Sequence, residues 1–363
     1  MIAPSRREFL AGLAGATAGV VFAGPTVLRA ARRDVVIGGR RVKVVDGHAH
    51  CAIPEVLDVL KNSPIARGVR TSLAAPGLAA VPLVFAAERL RQMDEQGIDV
   101  QVLSINPFWY AAERDLARQI IEVQNERLAA LCATHPDRFV ALASVALQHP
   151  DLAVGQLEDA VKRRGMRGAA IGGNVNGEEL SSARFDPFWA KAQELYALIF
   201  IHPQGFPEIQ ARVKGNGFLS NVIGNPLETT VALSHLIFEG TLDRFPRLRI
   251  CAAHGGGFLP SYAGRFDHGC LTFPGNCSTI NQKAPSDYLK RLYFDSLVFT
   301  AEGLRHLVAE CGASQIVIGT DAPYPWTTTA VDHVLRTPGL SDADKVAILG
   351  GNLITLLRIG SAS

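Results

Sequence analysis

Short apolar runs alternate with amphipathic stretches along most of this 363-residue chain. Runs such as residues 198–201, which read Leu-Ile-Phe-Ile, are typical of strands that are covered on both faces. Nearly every run is followed by a helical pattern, and this alternation predicts a parallel sheet. Strands are predicted over residues 41–45, 99–104, 139–146, 168–171, 198–201, 248–253, 292–294 and 315–318, and helices over 85–96, 111–134, 152–164, 187–196, 226–238, 301–311 and 341–357. Eight such strands predict an α/β fold closed into a (β/α)8 barrel of the TIM type.

The amino-terminal segment does not share this pattern. The run Ser5-Arg6-Arg7-Glu8-Phe9-Leu10 is similar to a twin-arginine signal, and a mildly apolar stretch rich in alanine and glycine follows over 11–23. We predict a signal peptide over residues 1–33, export of the folded protein to the periplasm, and one barrel domain over 34–363. A cytoplasmic protein with an irregular amino terminus is the alternative. The apolar stretch is too short and too weakly apolar to predict a stable membrane span after signal removal.

The composition excludes one class of partner. The formal net charge is +2 and only 19% of the residues are charged, which does not provide the basic surface that nucleic-acid binding requires. We therefore expect a small-molecule substrate and no nucleic acid. The six cysteines form no Cys-x-x-Cys pair, so buried thiols are expected, although Cys270 and Cys277 are close enough in sequence to bond in an oxidising compartment.

Two histidines separated by one residue follow the first predicted strand. Side chains two apart in a strand project from the same face, so His48 and His50 can share a metal ion. An isolated His-x-His pair has an ordinary alternative, in which one histidine lies in a turn and the other caps a backbone carbonyl. Further ligand-type side chains follow other predicted strands, namely His202, His254 and Asp321. Because the carboxyl ends of barrel strands converge at one mouth, these five residues are expected to meet there.

Aromatic residues also follow strands at the predicted mouth. Phe108 and Trp109 come after the second strand, and Tyr324 comes after the eighth. They are placed to hold a planar substrate between them. Packing under a lid, formed by the long loop over 52–82, is the alternative.

The segments at the strand ends carry a resemblance to a known family. They are Asp46-Gly47-His48-Ala49-His50, His202-Pro203, residues 225–230 (Asn-Pro-Leu-Glu-Thr-Thr), 245–250 (Phe-Pro-Arg-Leu-Arg-Ile), 253–257 (Ala-His-Gly-Gly-Gly), Gly264-Arg265 and 319–325 (Gly-Thr-Asp-Ala-Pro-Tyr-Pro). The sequence resembles the amidohydrolase superfamily, and within it the branch that contains aminocarboxymuconate-semialdehyde decarboxylase and related non-oxidative aromatic acid decarboxylases. The resemblance covers nearly the whole chain after the signal.

This resemblance implies one divalent metal ion and no organic cofactor. Zinc is the expected metal, and manganese is the alternative. The implied ligands are His48, His50, His202 and Asp321, which leave one position open for water or substrate. His254 is then the acid/base residue beside the metal, and Asp321 shares in proton transfer. His254 as a further ligand, or as a core histidine bonded to backbone, stays open.

Two further positions refine this picture. Binuclear amidohydrolases need a bridging lysine or carboxylate after the fourth strand, where this chain has Gly172-Gly173-Asn174, so a single metal is expected. Arg265 stands where the resembled decarboxylase places an arginine that enters the neighbouring subunit's site and holds a substrate carboxylate. This match implies a homodimer; an exposed arginine in an ordinary salt bridge is the alternative. A second carboxylate-binding arginine of the branch has no match in 73–87, and Arg67 or Arg70 is the nearest substitute.

We therefore predict a metal-dependent, non-oxidative decarboxylase, a carbon–carbon lyase, that acts on an unsaturated or aromatic carboxylic acid. A hydrolase of the lactonase or amidase type, which uses water activated by the same metal, is the second hypothesis. Related barrels host both reactions, because a fold does not fix a function. The export signal and the missing first-loop arginine count in favour of the hydrolase. A barrel that binds a metal or a ligand without catalysis is the third.

Overall fold

A computed structural model describes residues 32–61, 63–65, 87–106, 108–281 and 284–360. One compact unit runs from Arg32 to Ser363. The predicted signal therefore lies almost wholly outside the described residues, as do Arg67, Arg70 and most of the loop over 52–82. Arg33, just before the predicted domain boundary, already pairs with the barrel, because its guanidinium lies 2.6 Å from a carboxylate oxygen of Asp332.

Eight parallel strands form the centre of the described chain. They are β1 (Val45–Cys51), β2 (Val100–Ile105), β3 (Phe139–Ala141), β4 (Gly168–Ile171), β5 (Leu198–Ile201), β6 (Arg249–Ala252), β7 (Tyr293–Asp295) and β8 (Ile316–Val317). Strands β1 to β3 pair in order, as do β4 to β8. Isolated parallel bridges join the segment after β3 to β4, at Ala143 and Ala169, and β1 to the segment after β8, at Ala49 and Ala322. These bridges close the predicted (β/α)8 barrel, so this prediction is confirmed.

Helices connect the strands. Their bounds are α1 (Val56–Leu60), α2 (Ala87–Gln96), α3 (Arg114–Thr134), α4 (Pro150–Lys162), α5 (Asp186–Glu194), α6 (Asn225–Phe238), α7 (Thr241–Arg244), α8 (Leu259–Thr272), α9 (Ala301–Cys311), α10 (Ala330–Arg336), α11 (Asp342–Val346) and α12 (Asn352–Leu357). The long helix predicted over 341–357 is divided by a wider π-helical turn at Ala347–Gly351. Among the described helices, none has both the length and the apolar character needed to cross a bilayer. Two-stranded hairpins pair Val36–Ile37 with Arg40–Arg41, and Asn174–Val175 with Glu178–Glu179.

The first barrel strand differs from its predicted bounds. It begins at Val45 and continues through both histidines to Cys51, whereas the apolar run had predicted an end at Val45. The pairing with β2 shifts register between Asp46 and Ala49, which marks a bulge. His48 and His50 therefore lie within the strand, and both are buried.

The carboxyl end of α8 is closed by a disulfide. Cys270 and Cys277, the pair noted in the sequence, are bonded with their Cα atoms 5.6 Å apart. The bond ties the last turn of the helix to the short turn at Pro274–Cys277.

Candidate metal centre

Four buried side chains meet at the carboxyl ends of the barrel strands. His48 and His50 come from β1, His202 follows β5, and Asp321 follows β8. One ligand atom from each lies within 4.8 Å of the others. The Nε2 atoms of His48 and His50 are 2.9 Å apart, and Asp321 Oδ1 lies 3.3 Å and 3.0 Å from them. Across the described ranges, this is the single group of such residues that could hold a metal ion.

The second ring nitrogen of each histidine has its own partner. The Nδ1 atom of His48 lies 2.6 Å from Asp295, and that of His50 lies 3.1 Å from the hydroxyl of Ser104. The Nδ1 atom of His202 lies 2.8 Å from the carbonyl oxygen of Pro203. These contacts leave all three Nε2 atoms for the centre, which is the arrangement that metal-binding histidines use.

Asp295 connects two parts of the site. Besides meeting His48, its carboxylate accepts hydrogen bonds from the backbone N–H groups of His254 (2.8 Å) and Gly255 (2.9 Å). Burial alone would raise the pKa of Asp295, but the hydrogen bond and charge of His48, the charge of His254 and the N–H group of Gly255 outweigh it and hold the pKa below its usual value. Asp295 therefore lies against the ring of His48 and orients it.

The electrostatics of the group suit a cation. Burial lowers the pKa of His50 and of His202, which favours the neutral form of the ring that binds a metal. Burial opposes the charge of Asp321, yet the nearby histidines, His48 first, hold its pKa well below its usual value. Asp321 Oδ1 is buried without a conventional hydrogen-bond donor in the described structure. Three nitrogens and one carboxylate therefore fit a single divalent ion.

His254 lies beside this group and is not one of the four clustered ligands. It follows β6 and begins the turn His254–Gly256, with a left-handed φ of 56°. Its Nε2 atom is 4.0 Å from Asp321 Oδ2, and its Nδ1 atom is buried with no hydrogen-bond partner among the described residues. The turn needs glycine, because a Cβ on Gly257, where φ is 67°, would lie 2.1 Å from the carbonyl oxygen of Pro226.

Three of the four predicted substrate-binding residues border one cavity, and the fourth, Arg265, does not. The ring of Tyr324 lies 5.7 Å from that of His50 and borders a cavity of about 660 Å³, which Phe108 and Trp109 also border. Phe108 and Trp109 are only 2% and 5% exposed, so both pack largely into the core. Arg265 is exposed on α8 and borders neither this cavity nor the cavity beside His254. The roles of these four residues in substrate binding stay predictions.

Sequence reasoning missed several residues that support the ligands. Ser104 and Asn106 end the second strand, and Asn106 lies 3.1 Å from the Nδ1 atom of His202. Asp46 accepts hydrogen bonds from the backbone N–H groups of His48 and Thr320, both at 3.1 Å. Their position at strand ends was the available signal, but serine, asparagine and aspartate also end strands for ordinary reasons of turn formation.

Comparison with known proteins places the chain in a family. The amidohydrolase family model matches residues 45–359. The chain is 31% identical over 274 residues to 2-amino-3-carboxymuconate-6-semialdehyde decarboxylase of Dictyostelium discoideum, which covers 75% of this chain and 76% of that protein. It is 30% identical over 298 residues to gamma-resorcylate decarboxylase of Polaromonas sp. strain JS666, covering 78% of this chain and 90% of that protein.

Solved structures show the same architecture. The 5-carboxyvanillate decarboxylase of Sphingomonas paucimobilis superposes with a TM-score of 0.79 at 22% identity, covering 88% of this chain and 99% of the other. The dihydroxybenzoic acid decarboxylase of Polaromonas sp. JS666, solved with bound manganese and 2-nitroresorcinol, has a TM-score of 0.76 at 26% identity, covering 88% and 98%. The branch predicted from the strand-end segments is confirmed. The chain therefore belongs to the amidohydrolase family, and the relatives that it resembles within that family are decarboxylases.

Proposed function

We propose that this protein is a metal-dependent decarboxylase of an aromatic or unsaturated carboxylic acid. The observation that carries the proposal is the group of three histidines and Asp321, with His254 beside it, at the mouth of a barrel shared with decarboxylases. The relatives favour this reaction over hydrolysis, because the two curated relatives described above are named as decarboxylases. The hydrolase hypothesis has no comparable support.

We propose zinc as the metal, with manganese as the alternative. Imidazole nitrogens and a carboxylate oxygen, the donors that His48, His50, His202 and Asp321 offer, are ligand types that zinc binds in proteins. The Polaromonas decarboxylase with bound manganese supports the alternative. When bound, the divalent ion would supply Lewis-acid stabilisation of negative charge on substrate oxygens.

The residues of the chain account for the proton that the reaction needs. Decarboxylation breaks the bond between carbon and the carboxyl group, carbon dioxide leaves, and the electron pair stays on carbon, which takes up a proton. His254 has a free Nδ1 atom and an Nε2 atom 4.0 Å from Asp321 Oδ2. An imidazole near this carboxylate can hold a proton and deliver it to carbon.

A cavity beside His254 has the size and lining for a planar substrate. It has a volume of about 490 Å³ and is bordered by His254, Asp321 and apolar side chains that include Val222, Leu297 and Trp326. Apolar walls with a few polar groups at one end suit an aromatic ring whose carboxyl group faces the metal ligands.

Carbon dioxide release by the metal-loaded protein tests this function directly. We expect about one zinc or manganese ion per chain and release from at least one member of a panel of carboxylated phenols, pyrimidines and muconate semialdehydes. Removal of the metal by a chelator should abolish release, and adding the metal back should restore it.

The same preparation distinguishes the alternatives. Metal-loaded, folded protein that releases no carbon dioxide but hydrolyses lactones or amides would replace the decarboxylase with the hydrolase. A protein that binds metal and turns over neither panel would support the non-catalytic hypothesis. A protein that binds no metal even after loading would overturn the site itself.

We also propose a homodimer in which Arg265 serves the neighbouring subunit's site. In support, Arg265 is exposed on α8 and borders neither the cavity beside His254 and Asp321 nor the cavity that Tyr324 borders in its own chain. The same helix and the turn after it expose apolar side chains, with Tyr262 at 52%, Leu271 at 78% and Phe273 at 63%. Exposed apolar residues grouped on one element are typical of an interface. Light scattering of the purified protein should give twice the mass of one chain.

We propose export through the twin-arginine pathway. The run Ser5-Arg6-Arg7-Glu8-Phe9-Leu10 supports it, and so does the bond between Cys270 and Cys277, because disulfides persist in oxidising compartments. Cell fractionation should find the protein in the periplasm, and replacement of both arginines by lysine should retain it in the cytoplasm. If the original protein and the double-lysine variant were found in the same compartment, the proposal would be contradicted.

A further inference from the structure

Glu228 is a buried carboxylate that the proposed chemistry does not use. It lies in the first turn of α6 with only 2% of its surface exposed. Its Oε2 atom accepts hydrogen bonds from the backbone N–H groups of Gln204 (2.9 Å) and Gly205 (2.8 Å). Its Oε1 atom accepts one from the side-chain amide of Asn174, at 3.1 Å. Glu228 therefore ties together the segments that follow β4 and β5.

One of these hydrogen bonds leads directly to a metal ligand. The N–H of Gln204 and the carbonyl of Pro203 belong to the same peptide group, which is planar. The N–H donates to Glu228, while the carbonyl oxygen lies 2.8 Å from the Nδ1 atom of His202. The orientation of this single plane therefore depends on Glu228 at one end and positions the ring of His202 at the other.

The surroundings are built to admit this carboxylate. A Cβ on Gly173 would lie 2.8 Å from a carboxylate oxygen of Glu228, so the bare backbone of glycine makes room for it. Asn174 cannot turn its amide around without loss, because its Oδ1 atom already accepts a hydrogen bond of 2.9 Å from the N–H of Gly177. The direction of the hydrogen bond between the two side chains is thereby fixed: Asn174 donates and Glu228 accepts.

The carboxylate is costly in energy. Burial raises the pKa of Glu228 to about 7, and the backbone donors at Gln204 and Gly205 offset only part of that effect. A carboxyl whose folded pKa lies above its unfolded value loses folding free energy as the pH rises through that range and it ionises. A neutral amide would avoid this cost. Stability alone therefore does not explain an acid at this position.

We propose that Glu228 is a positioning residue that orients the peptide between Pro203 and Gln204, and through it the imidazole of His202. The ring then donates from Nδ1 to the Pro203 carbonyl and directs Nε2 toward the other three ligands. Groups that hydrogen-bond directly to a metal ligand change metal affinity by about 10- to 100-fold when they are replaced, and Glu228 acts on such a group, the carbonyl of Pro203.

A swap of donor and acceptor tests the proposal. In Glu228→Gln, the new amide can keep its oxygen toward Gln204 and Gly205 only by turning its NH₂ group toward the NH₂ group of Asn174. We expect metal affinity, measured by competition with a chelator, to fall about 10-fold. The double variant Glu228→Gln with Asn174→Asp keeps the charge and reverses the pair, so that the new amide at position 228 donates and the new carboxylate at position 174 accepts. It should bind metal nearly as tightly as the original protein.

The controls separate positioning from folding. Glu239→Gln changes a carboxylate at the other end of α6, where it accepts a hydrogen bond of 2.8 Å from Ser181, and should leave metal affinity unchanged. Melting temperatures of the metal-free proteins monitor the fold, and Glu228→Gln should not be less stable at pH 8. If that variant fails to fold, Asn174→Asp alone should still weaken metal binding.

Two results would overturn the proposal. One is a folded Glu228→Gln protein that has the original metal affinity. If that variant does not fold, an Asn174→Asp protein with the original metal affinity would count in the same way. The other is a double variant that binds metal no better than the single one. The readout is metal affinity, which needs no substrate. A failure here would therefore leave the proposed decarboxylase activity untouched, and a failure to release carbon dioxide would leave this proposal standing.

Discussion

Replacing His254 with asparagine is expected to lower kcat for carbon dioxide release by about 10²- to 10⁴-fold while the protein retains its metal. His254 is separate from the clustered ligands, and its Nε2 atom lies 4.0 Å from Asp321 Oδ2. Asparagine removes the ionisable ring but tolerates the left-handed φ of 56° better than most residues do. Initial rates and metal content should be measured on the same preparations.

His306→Asn is the matched control for this experiment. His306 borders the same cavity, and its ring lies 3.1 Å from the hydroxyl of Ser261, with no hydrogen bond or ion pair to Asp321 or His254 in the described part of the chain. Its kcat should be close to that of the original protein. A His254→Asn protein with full metal and an undiminished kcat would remove His254 from proton transfer. Loss of the metal would instead make His254 a ligand, the alternative that the sequence left open.

The meeting of these side chains could be predicted because it depends on the barrel rather than on details of packing, whereas the division into four ligands and His254 came from the family resemblance. Once parallel strands close into a barrel, their carboxyl ends meet, and a histidine or aspartate after a strand needs only an approximate strand end to be placed at the mouth. The predicted end of β1 at Val45 was wrong, because pairing continues through polar residues to Cys51. The prediction for His48 and His50 survived this error, since residues two apart share a face of the strand.

The residues behind the ligands could not be predicted in this way. Asp295 lies 247 residues from His48 along the chain, and Glu228 lies 24 residues from Gln204. Each contact depends on the final position of one side chain within a packed interior, which no local pattern encodes. Glu228 also has an ordinary explanation, because acids favour the first turn of a helix. Such residues become visible only when their hydrogen-bond partners are known.

Replacing Arg265 with alanine is expected to lower kcat/KM by about 10- to 100-fold with the metal content unchanged, because a charged hydrogen bond to a substrate carboxylate is lost. Arg265 borders neither the cavity beside His254 nor the cavity beside Tyr324 in its own chain, so an effect of this size would be hard to explain within one subunit. Arg247→Ala is a suitable control, since Arg247 precedes β6, at the opposite end of the strand from His254. It should leave kcat/KM unchanged.

Combining the two variants in one dimer decides which subunit Arg265 serves. Chains with His254→Asn and Arg265→Ala can be produced together with different affinity tags and purified as a heterodimer. If Arg265 acts across the interface, the Arg265→Ala subunit keeps its own His254 and receives the intact arginine of its partner. One of the two sites is then complete, and activity should recover to about half of that of the original dimer. If Arg265 acts within its own chain, neither site is complete, and the heterodimer should be as inactive as the two parent variants.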